Sequence, residues 1–168
     1  MAGLGDSQMD AYEEVRVQIP GEVGQLLEER SILTEEVQKV ILHAETAGRK
    51  LVNPGTGRFL AFYRPKAVTY WVEYCRIGEL YEVHTAYSHR MVMKSSGSTQ
   101  EWVKSGSQSD WLCNQCQLPL EVQTVRLQYM QSIFPIKLPA CSGCGFILID
   151  EQLATGKIAA AEQALEEK

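Results

Sequence analysis

The stretch at residues 113–145 reads CNQCQLPLEVQTVRLQYMQSIFPIKLPACSGCG and carries the same Cys-x-x-Cys spacing at both ends. Two thiolates separated by two residues can reach one cation, and two such pairs complete a tetrahedral site. Apolar residues alternate in the sequence between the pairs, as in two strands of a hairpin: Val125, Leu127 and Tyr129, then Phe134, Ile136 and Leu138. The hairpin would bring the pairs together, which predicts Cys113, Cys116, Cys141 and Cys144 as metal ligands.

The order of these elements resembles the zinc ribbon family, in its rubredoxin-like two-knuckle form, over residues 111–149. FILI at residues 146–149 would be the third strand of such a ribbon. The resemblance implies that the four cysteines bind zinc. One departure from the pattern is CNQCQ, which lacks the glycine that follows CSGC, so we expect a less regular first turn. LPACSGCG at residues 138–145 runs into EQLATGKIAAAEQALEEK at residues 151–168. In these stretches the C-terminal part also resembles uncharacterised small zinc-ribbon proteins of anaerobic bacteria, which implies at most a companion to a larger enzyme.

The identity of the metal stays open at this point, because four thiolates accept zinc or iron. Four cysteines close the coordination shell, so we expect a structural ion, whereas a catalytic zinc needs an open position. The alternatives without metal are reduced, unliganded cysteines or a redox-active dithiol of the thioredoxin type. In the dithiol the cysteine pair should open a helix. CSGCG instead leads into an apolar, strand-like segment.

The composition is that of a globular protein: 168 residues, 45% hydrophobic and 22% charged. No apolar run approaches the roughly 20 residues that cross a bilayer, and the acidic start does not read as a secretory signal. We therefore expect a cytoplasmic protein without membrane contact, where a reducing environment favours metal-bound over disulfide-bonded cysteines.

The chain divides into five predicted segments. Residues 1–30 form an acidic tail with a short helix and account for the net charge of −5, since they carry two basic and seven acidic side chains. Residues 31–94 form an α+β domain, 95–110 a Ser/Gly-rich linker, 111–149 the zinc ribbon, and 150–168 a terminal helix with Asp150 as its N-cap. The two terminal segments have little core of their own, which is typical of segments that dock on a partner.

The α+β domain is predicted as one helix packed on a small antiparallel sheet. The helix would begin at Thr34 as N-cap and end at Gly48 as a left-handed C-cap. Its buried face would consist of Val37, Val40, Ile41 and Ala44. After Gly48 the apolar period changes from about 3.6 to 2, which predicts four strands up to residue 94.

Cys75, His84 and His89 are the candidates for chemistry in this domain. Strict alternation along a strand places the two histidines on opposite faces, so they make a poor ligand pair. We expect both to lie at the sheet surface, and Cys75 to be a buried thiol without a nearby base. The segment that ends at Arg90 thus offers no geometry for an active site, and the common nucleotide-binding and hydrolase motifs are absent from the sequence. Any activity of these side chains stays open.

Residues 46–72 contain no acidic side chain but five cations, Arg49, Lys50, Arg58, Arg64 and Lys66. Five aromatic residues are interleaved with them: Phe59, Phe62, Tyr63, Tyr70 and Trp71. Cations beside stacking surfaces suit nucleic acid, cofactor phosphates or an acidic protein, and they also suit a solvated sheet face above an aromatic core.

The predicted function is a non-catalytic zinc-ribbon accessory subunit or adaptor that binds a larger protein, such as a redox or metabolic enzyme complex. A rubredoxin-like iron electron carrier and a nucleic-acid-binding zinc ribbon protein are the alternatives. The ribbon itself carries Arg126 and Lys137 against Glu121, so it is not a strongly basic module.

Overall fold

The computed structural model describes residues 11–95 and 110–166, and the predicted α+β class is confirmed. After a 3₁₀ turn at Ala11–Glu14, the helices are α1 (Gly21–Glu29), α2 (Thr34–Ala47), α3 (Glu151–Leu153) and α4 (Ala159–Glu166), the last two joined by a π-helical turn at Ala154–Ile158. The strands are β1 (Val17–Gln18), β2 (Leu51–Asn53), β3 (Arg58–Tyr63), β4 (Thr69–Ile77), β5 (Leu80–His89), β6 (Val92–Ser95), β7 (Leu112–Cys113), β8 (Glu121–Tyr129) and β9 (Ser132–Ala140). We refer to α3, the π-helical turn and α4 together as the C-terminal helix.

A six-stranded sheet has the order β1-β5-β4-β3-β2-β7. Its four central strands, β2 to β5, are the predicted ones and pair antiparallel. Two further strands extend the sheet at its edges: β1 pairs parallel with β5, and β7 pairs antiparallel with β2. Strand β1 and helix α1 both lie within residues 1–30, the predicted acidic tail, of which residues 1–10 lie outside the described part of the chain.

Helix α2 packs one face against this sheet, as the sequence predicts. All four residues of the predicted buried face are fully buried: Val37, Val40, Ile41 and Ala44. Gly48 ends the helix with a φ of 70°, in the left-handed conformation that glycine adopts at low cost. The predicted N-cap is wrong by one residue, because extended Leu33 precedes the helix and Thr34 is its first helical residue.

The second sheet has the order β6-β8-β9 and contains the predicted hairpin of β8 and β9. FILI at residues 146–149 does not form the expected third strand. It pairs with β9 through a single isolated β-bridge, between Ile147 and Ala140. All four of its side chains are buried. The carbonyl of Ile149 accepts a hydrogen bond from Tyr87 Oη at 2.6 Å, so the segment packs against the six-stranded sheet instead of extending the ribbon. Residues 96–109, most of the predicted linker, lie outside the described residues.

Two hydrophobic clusters form the interior. One contains the buried face of α2 together with residues of β3, β4 and β5. The other contains Trp71 and Tyr87 from the six-stranded sheet, the buried side chains of β8 and β9, and Phe146. The ring centroids of Trp71 and Phe146 lie 6.2 Å apart, edge to face. The ribbon region and the preceding sheet therefore share one core.

The C-terminal helix packs on its own chain, in contrast to the expectation of a segment free to dock elsewhere. Ala154 and Ile158 are buried. The Glu162 carboxylate is also buried and accepts hydrogen bonds from the backbone amides of Arg90 and Met91, at 2.7 and 2.8 Å. Asp150 caps the start of the helix, as predicted, by accepting from Leu153 N at 2.7 Å.

Among the helices that the structure describes, none has the length and apolar character that a bilayer span requires.

Candidate metal centre

The two Cys-x-x-Cys turns have the same backbone arrangement. Gln117 N donates to Cys113 O at 2.8 Å, and Gly145 N donates to Cys141 O at 2.9 Å. The residue after each pair has a left-handed φ, 57° for Gln117 and 82° for Gly145. The prediction of a less regular first turn is therefore wrong: Gln117 adopts the conformation that glycine adopts in the second turn, at a cost of roughly 1–2 kcal/mol for a side-chain-bearing residue.

The four predicted cysteines come together in one cluster, in which their sulfur atoms all lie within 4.8 Å of one another. The Sγ atoms of Cys113 and Cys144 are 3.6 Å apart. Four sulfurs at about 2.3 Å from a shared tetrahedral ion would be separated by about 3.8 Å. The Gly143 amide also lies 3.3 Å from Cys141 Sγ and donates to it. The cluster thus has the composition and the dimensions of a site for one four-coordinate metal ion.

Gly143 is the point of closest approach between the two turns. A Cβ atom at this position would lie 2.8 Å from Cys116 Sγ and 3.3 Å from a methyl group of Leu118. Because side-chain carbons do not approach sulfur this closely, any side chain here would force one of the two turns to shift. Residue 143 is therefore a positioning residue that the ligand spacing alone did not reveal.

The first turn is anchored on the six-stranded sheet and on the end of α2. Cys113 is the last residue of β7 and pairs with Leu51 of β2. Asn114 N donates to Lys50 O at 2.9 Å, and its side-chain amide donates to Gly48 O at 3.3 Å. The second turn follows β9 of the other sheet, so the candidate metal centre lies where the two sheets meet.

Burial and hydrogen bonds shift the pKa values of three cysteines in the cluster. Desolvation and the neighbouring thiols raise the pKa of Cys116 to about 12, and burial is the main cause that raises the pKa of Cys113. Burial also acts to raise the pKa of Cys141, but hydrogen bonds from the Cys144 and Gly143 amides outweigh it and the pKa is lowered. Because metal ions bind thiolates, binding here would release protons.

His89 is buried, and its predicted place at the sheet surface is wrong. His89 is 2% exposed, and its Nε2 atom accepts a hydrogen bond from Trp71 Nε1 at 2.9 Å. Its Nδ1 atom lies 2.9 Å from Met91 O. Burial lowers the pKa of His89 to about 4, so the ring is neutral near pH 7. His89 therefore has a structural role in the core.

His84 and Cys75 lie beside each other, which the sequence did not predict. His84 Nε2 is 3.2 Å from Cys75 Sγ, and Cys75 is half-buried rather than fully buried. His89 contacts Trp71, which lies on the same face of β4 as Cys75 because their positions differ by an even number. Both histidines thus use one face of the sheet, and the opposite-face prediction is wrong. The two histidines share a face because the pairing register of β4 and β5 shifts between them.

The cations of residues 49–72 are largely engaged within the chain. Lys50 forms an ion pair with Glu45, and Arg58 pairs with Glu73 at 3.0 Å. Arg64 donates to Thr69 Oγ1 at 2.8 Å. The interleaved aromatic residues are partly core: Trp71 is fully buried, and the rings of Phe62 and Phe146 lie 5.1 Å apart.

Comparison with known proteins extends to one region of the chain. A family model described as a domain of unknown function, DUF7479, matches residues 109–168. The matched region contains both cysteine turns, the β8–β9 hairpin and the C-terminal helix. No curated protein and no solved structure matches the chain significantly.

Proposed function

We propose that Cys113, Cys116, Cys141 and Cys144 hold a structural Zn²⁺ ion, and that the chain is a non-catalytic accessory subunit or adaptor for a larger protein. The observation that carries this proposal is the cluster of four cysteine sulfurs at the junction of the two sheets. Four thiolates fill a tetrahedral shell, so the ion has no position left for a substrate. Its contribution is to hold the β8–β9 hairpin against the six-stranded sheet.

The tip of this hairpin supports the role of an adaptor. Met130, in the turn between β8 and β9, is 57% exposed, and Ile133, the second residue of β9, is 56% exposed. Large apolar side chains at an exposed tip are suited to burial against a protein partner. The hairpin base is fixed by the cysteine cluster, so the tip is presented on a rigid support.

Metal analysis of the chain purified from its native host tests the identity of the ion. We expect Zn²⁺, with at least one equivalent per chain that a Cys116→Ser variant lacks. Iron at this site, visible as a red ferric thiolate protein, would overturn the zinc assignment and support an electron carrier instead. Protein from a heterologous host is a poor substitute, because it can incorporate the wrong ion.

Affinity purification at the native expression level tests the adaptor role. We expect one defined protein partner that a Met130→Ser/Ile133→Ser variant no longer retains. Ile77→Ser is the matched control, because Ile77 is 48% exposed at a different hairpin end. A chain that remains monomeric and without a partner would contradict the proposal.

Nucleic-acid binding has less support, because Lys50 and Arg58 are neutralised by carboxylates of the same chain. A binding titration at several salt concentrations tests this alternative. Phosphate contacts would appear as affinity that falls steeply with added salt.

A further inference from the structure

A second group of metal-ligating side chains lies on the β4–β5 pair. Cys75 and Glu82 are direct cross-strand partners. The pairing register shifts between Glu73 and Tyr74, which leaves His84 as the extra residue of β5. An extra residue of this kind re-aims a side chain, and here the His84 ring lies beside the Cys75 sulfur. Three ligand types therefore converge on one patch.

The distances within this group are close to those between ligands of a shared ion. His84 Nε2 lies 3.2 Å from Cys75 Sγ and 3.7 Å from Glu82 Oε1, and the three ligand atoms all lie within 4.8 Å of one another. Around a tetrahedral zinc ion, a sulfur–nitrogen or nitrogen–oxygen pair would be separated by about 3.4–3.6 Å. The observed distances fall on either side of this range, so small rotamer adjustments would complete the site.

We propose that Cys75, Glu82 and His84 bind a second thiophilic divalent cation, of the Zn²⁺ class, at an open three-ligand site. A thiolate and a carboxylate offset the two charges of such an ion, and a neutral imidazole completes the set. Arg58 is the cation nearby, and it is already paired with Glu73 at 3.0 Å. Soft sulfur and imidazole ligands favour zinc over magnesium or calcium, which take oxygen.

The pKa shifts of Cys75 and His84 do not favour a reactive cysteine. Burial and Arg58 lower the pKa of His84. Burial and Glu82 raise the pKa of Cys75. A nucleophilic Cys–His pair would need the opposite shifts, toward thiolate and imidazolium.

All three residues of the second site are partly exposed to solvent. The side chains of His84 and Glu82 retain 19% and 27% of their exposure. Three protein ligands leave the fourth position of a tetrahedral ion for water or a small ligand. The chain would thus carry one closed and one open site.

Titration with Co²⁺ tests the proposal on the full chain whose four-cysteine cluster already holds Zn²⁺. We expect one additional equivalent of Co²⁺, with the charge-transfer absorption of a single thiolate ligand. Cys75→Ser should abolish this absorption. His84→Ala and Glu82→Gln should weaken binding by more than about tenfold, since even the hydrogen-bond partners of metal ligands contribute about 10–100-fold. Circular dichroism establishes that each variant is folded.

His43→Ala is the matched control, because His43 is exposed on α2 and belongs to neither cluster. It should bind Co²⁺ as the original chain does. The absence of an additional equivalent, or unchanged affinity in folded Cys75→Ser and His84→Ala, would overturn the second site.

Alkylation gives an independent readout. Zn²⁺ at the second site should slow the reaction of Cys75 with iodoacetamide, detected by mass spectrometry of the peptide that contains it. A Cys75 reaction rate that does not respond to Zn²⁺ would also overturn the proposal.

Discussion

Leu51 and Cys113 are cross-strand partners at the edge of the six-stranded sheet. This pairing places a residue of the candidate metal centre inside the hydrogen-bonded ladder of the six-stranded sheet. The same residue is 1% exposed and belongs to the cluster that contains Trp71. Changes at the candidate metal centre should therefore alter the stability of the six-stranded sheet as well as that of residues 111–149.

Removal of the metal is expected to unfold the ribbon and loosen the sheet beneath it. A structural zinc ion contributes on the order of 10 kcal/mol, comparable with the whole stability of a typical domain of about 5–15 kcal/mol. Thermal unfolding of the chain with and without a chelator, followed by circular dichroism, measures the loss. Cys116→Ser should mimic the chelator, whereas Cys75→Ser should not. A chelated chain with unchanged melting temperature would contradict a structural ion.

Gly143→Ala should weaken metal binding. The added Cβ atom would lie 2.8 Å from Cys116 Sγ, so one turn must move and the ligand geometry deteriorates. Competition with a chromogenic chelator measures the change in affinity. Gly156→Ala is the control, since a Cβ there meets nothing within 4 Å, and it should leave the affinity unchanged. Equal affinity in both variants would show that the two turns can separate without cost.

Protonation of His89 should destabilise the fold in mild acid. Its pKa is about 4 in the folded chain and about 6.5 when unfolded, so the unfolded state binds more protons between these values. The stabilisation is full above pH 6.5 and falls as the pH drops toward 4, by about 3 kcal/mol in total. NMR titration of the ring should show it neutral at pH 5. A His89 pKa near 6.5 would contradict this account.

Glu162→Ala should destabilise the chain by about 1–3 kcal/mol, because it leaves the buried amide of Met91 without its acceptor. The amide of Arg90 loses the same partner. Urea unfolding measures the difference in the free energy of unfolding. Glu29→Ala, at an exposed position of α1, should change stability by less than about 0.5 kcal/mol. Similar effects of the two substitutions would mean that the C-terminal helix contributes little to the fold.

The sequence by itself determined the features that depend on neighbouring residues. The 3.6-residue period identified the buried face of α2, Gly48 marked its end, and Asp150 marked the start of the C-terminal helix. The repeated Cys-x-x-Cys spacing identified the four cysteines that cluster. These signals are local because turn geometry and side-chain direction follow from backbone conformation within a few residues.

Only the tertiary structure decided the features that depend on how distant segments meet. Periodicity assumes strict alternation, so it could not anticipate the register shift that aligns His84 with Cys75. It also could not show that Trp71 provides a buried partner for His89, or that residues 146–149 pack against the six-stranded sheet. In each case a contact between residues distant in sequence overrides the local pattern, because burial and hydrogen-bond pairing depend on the assembled core.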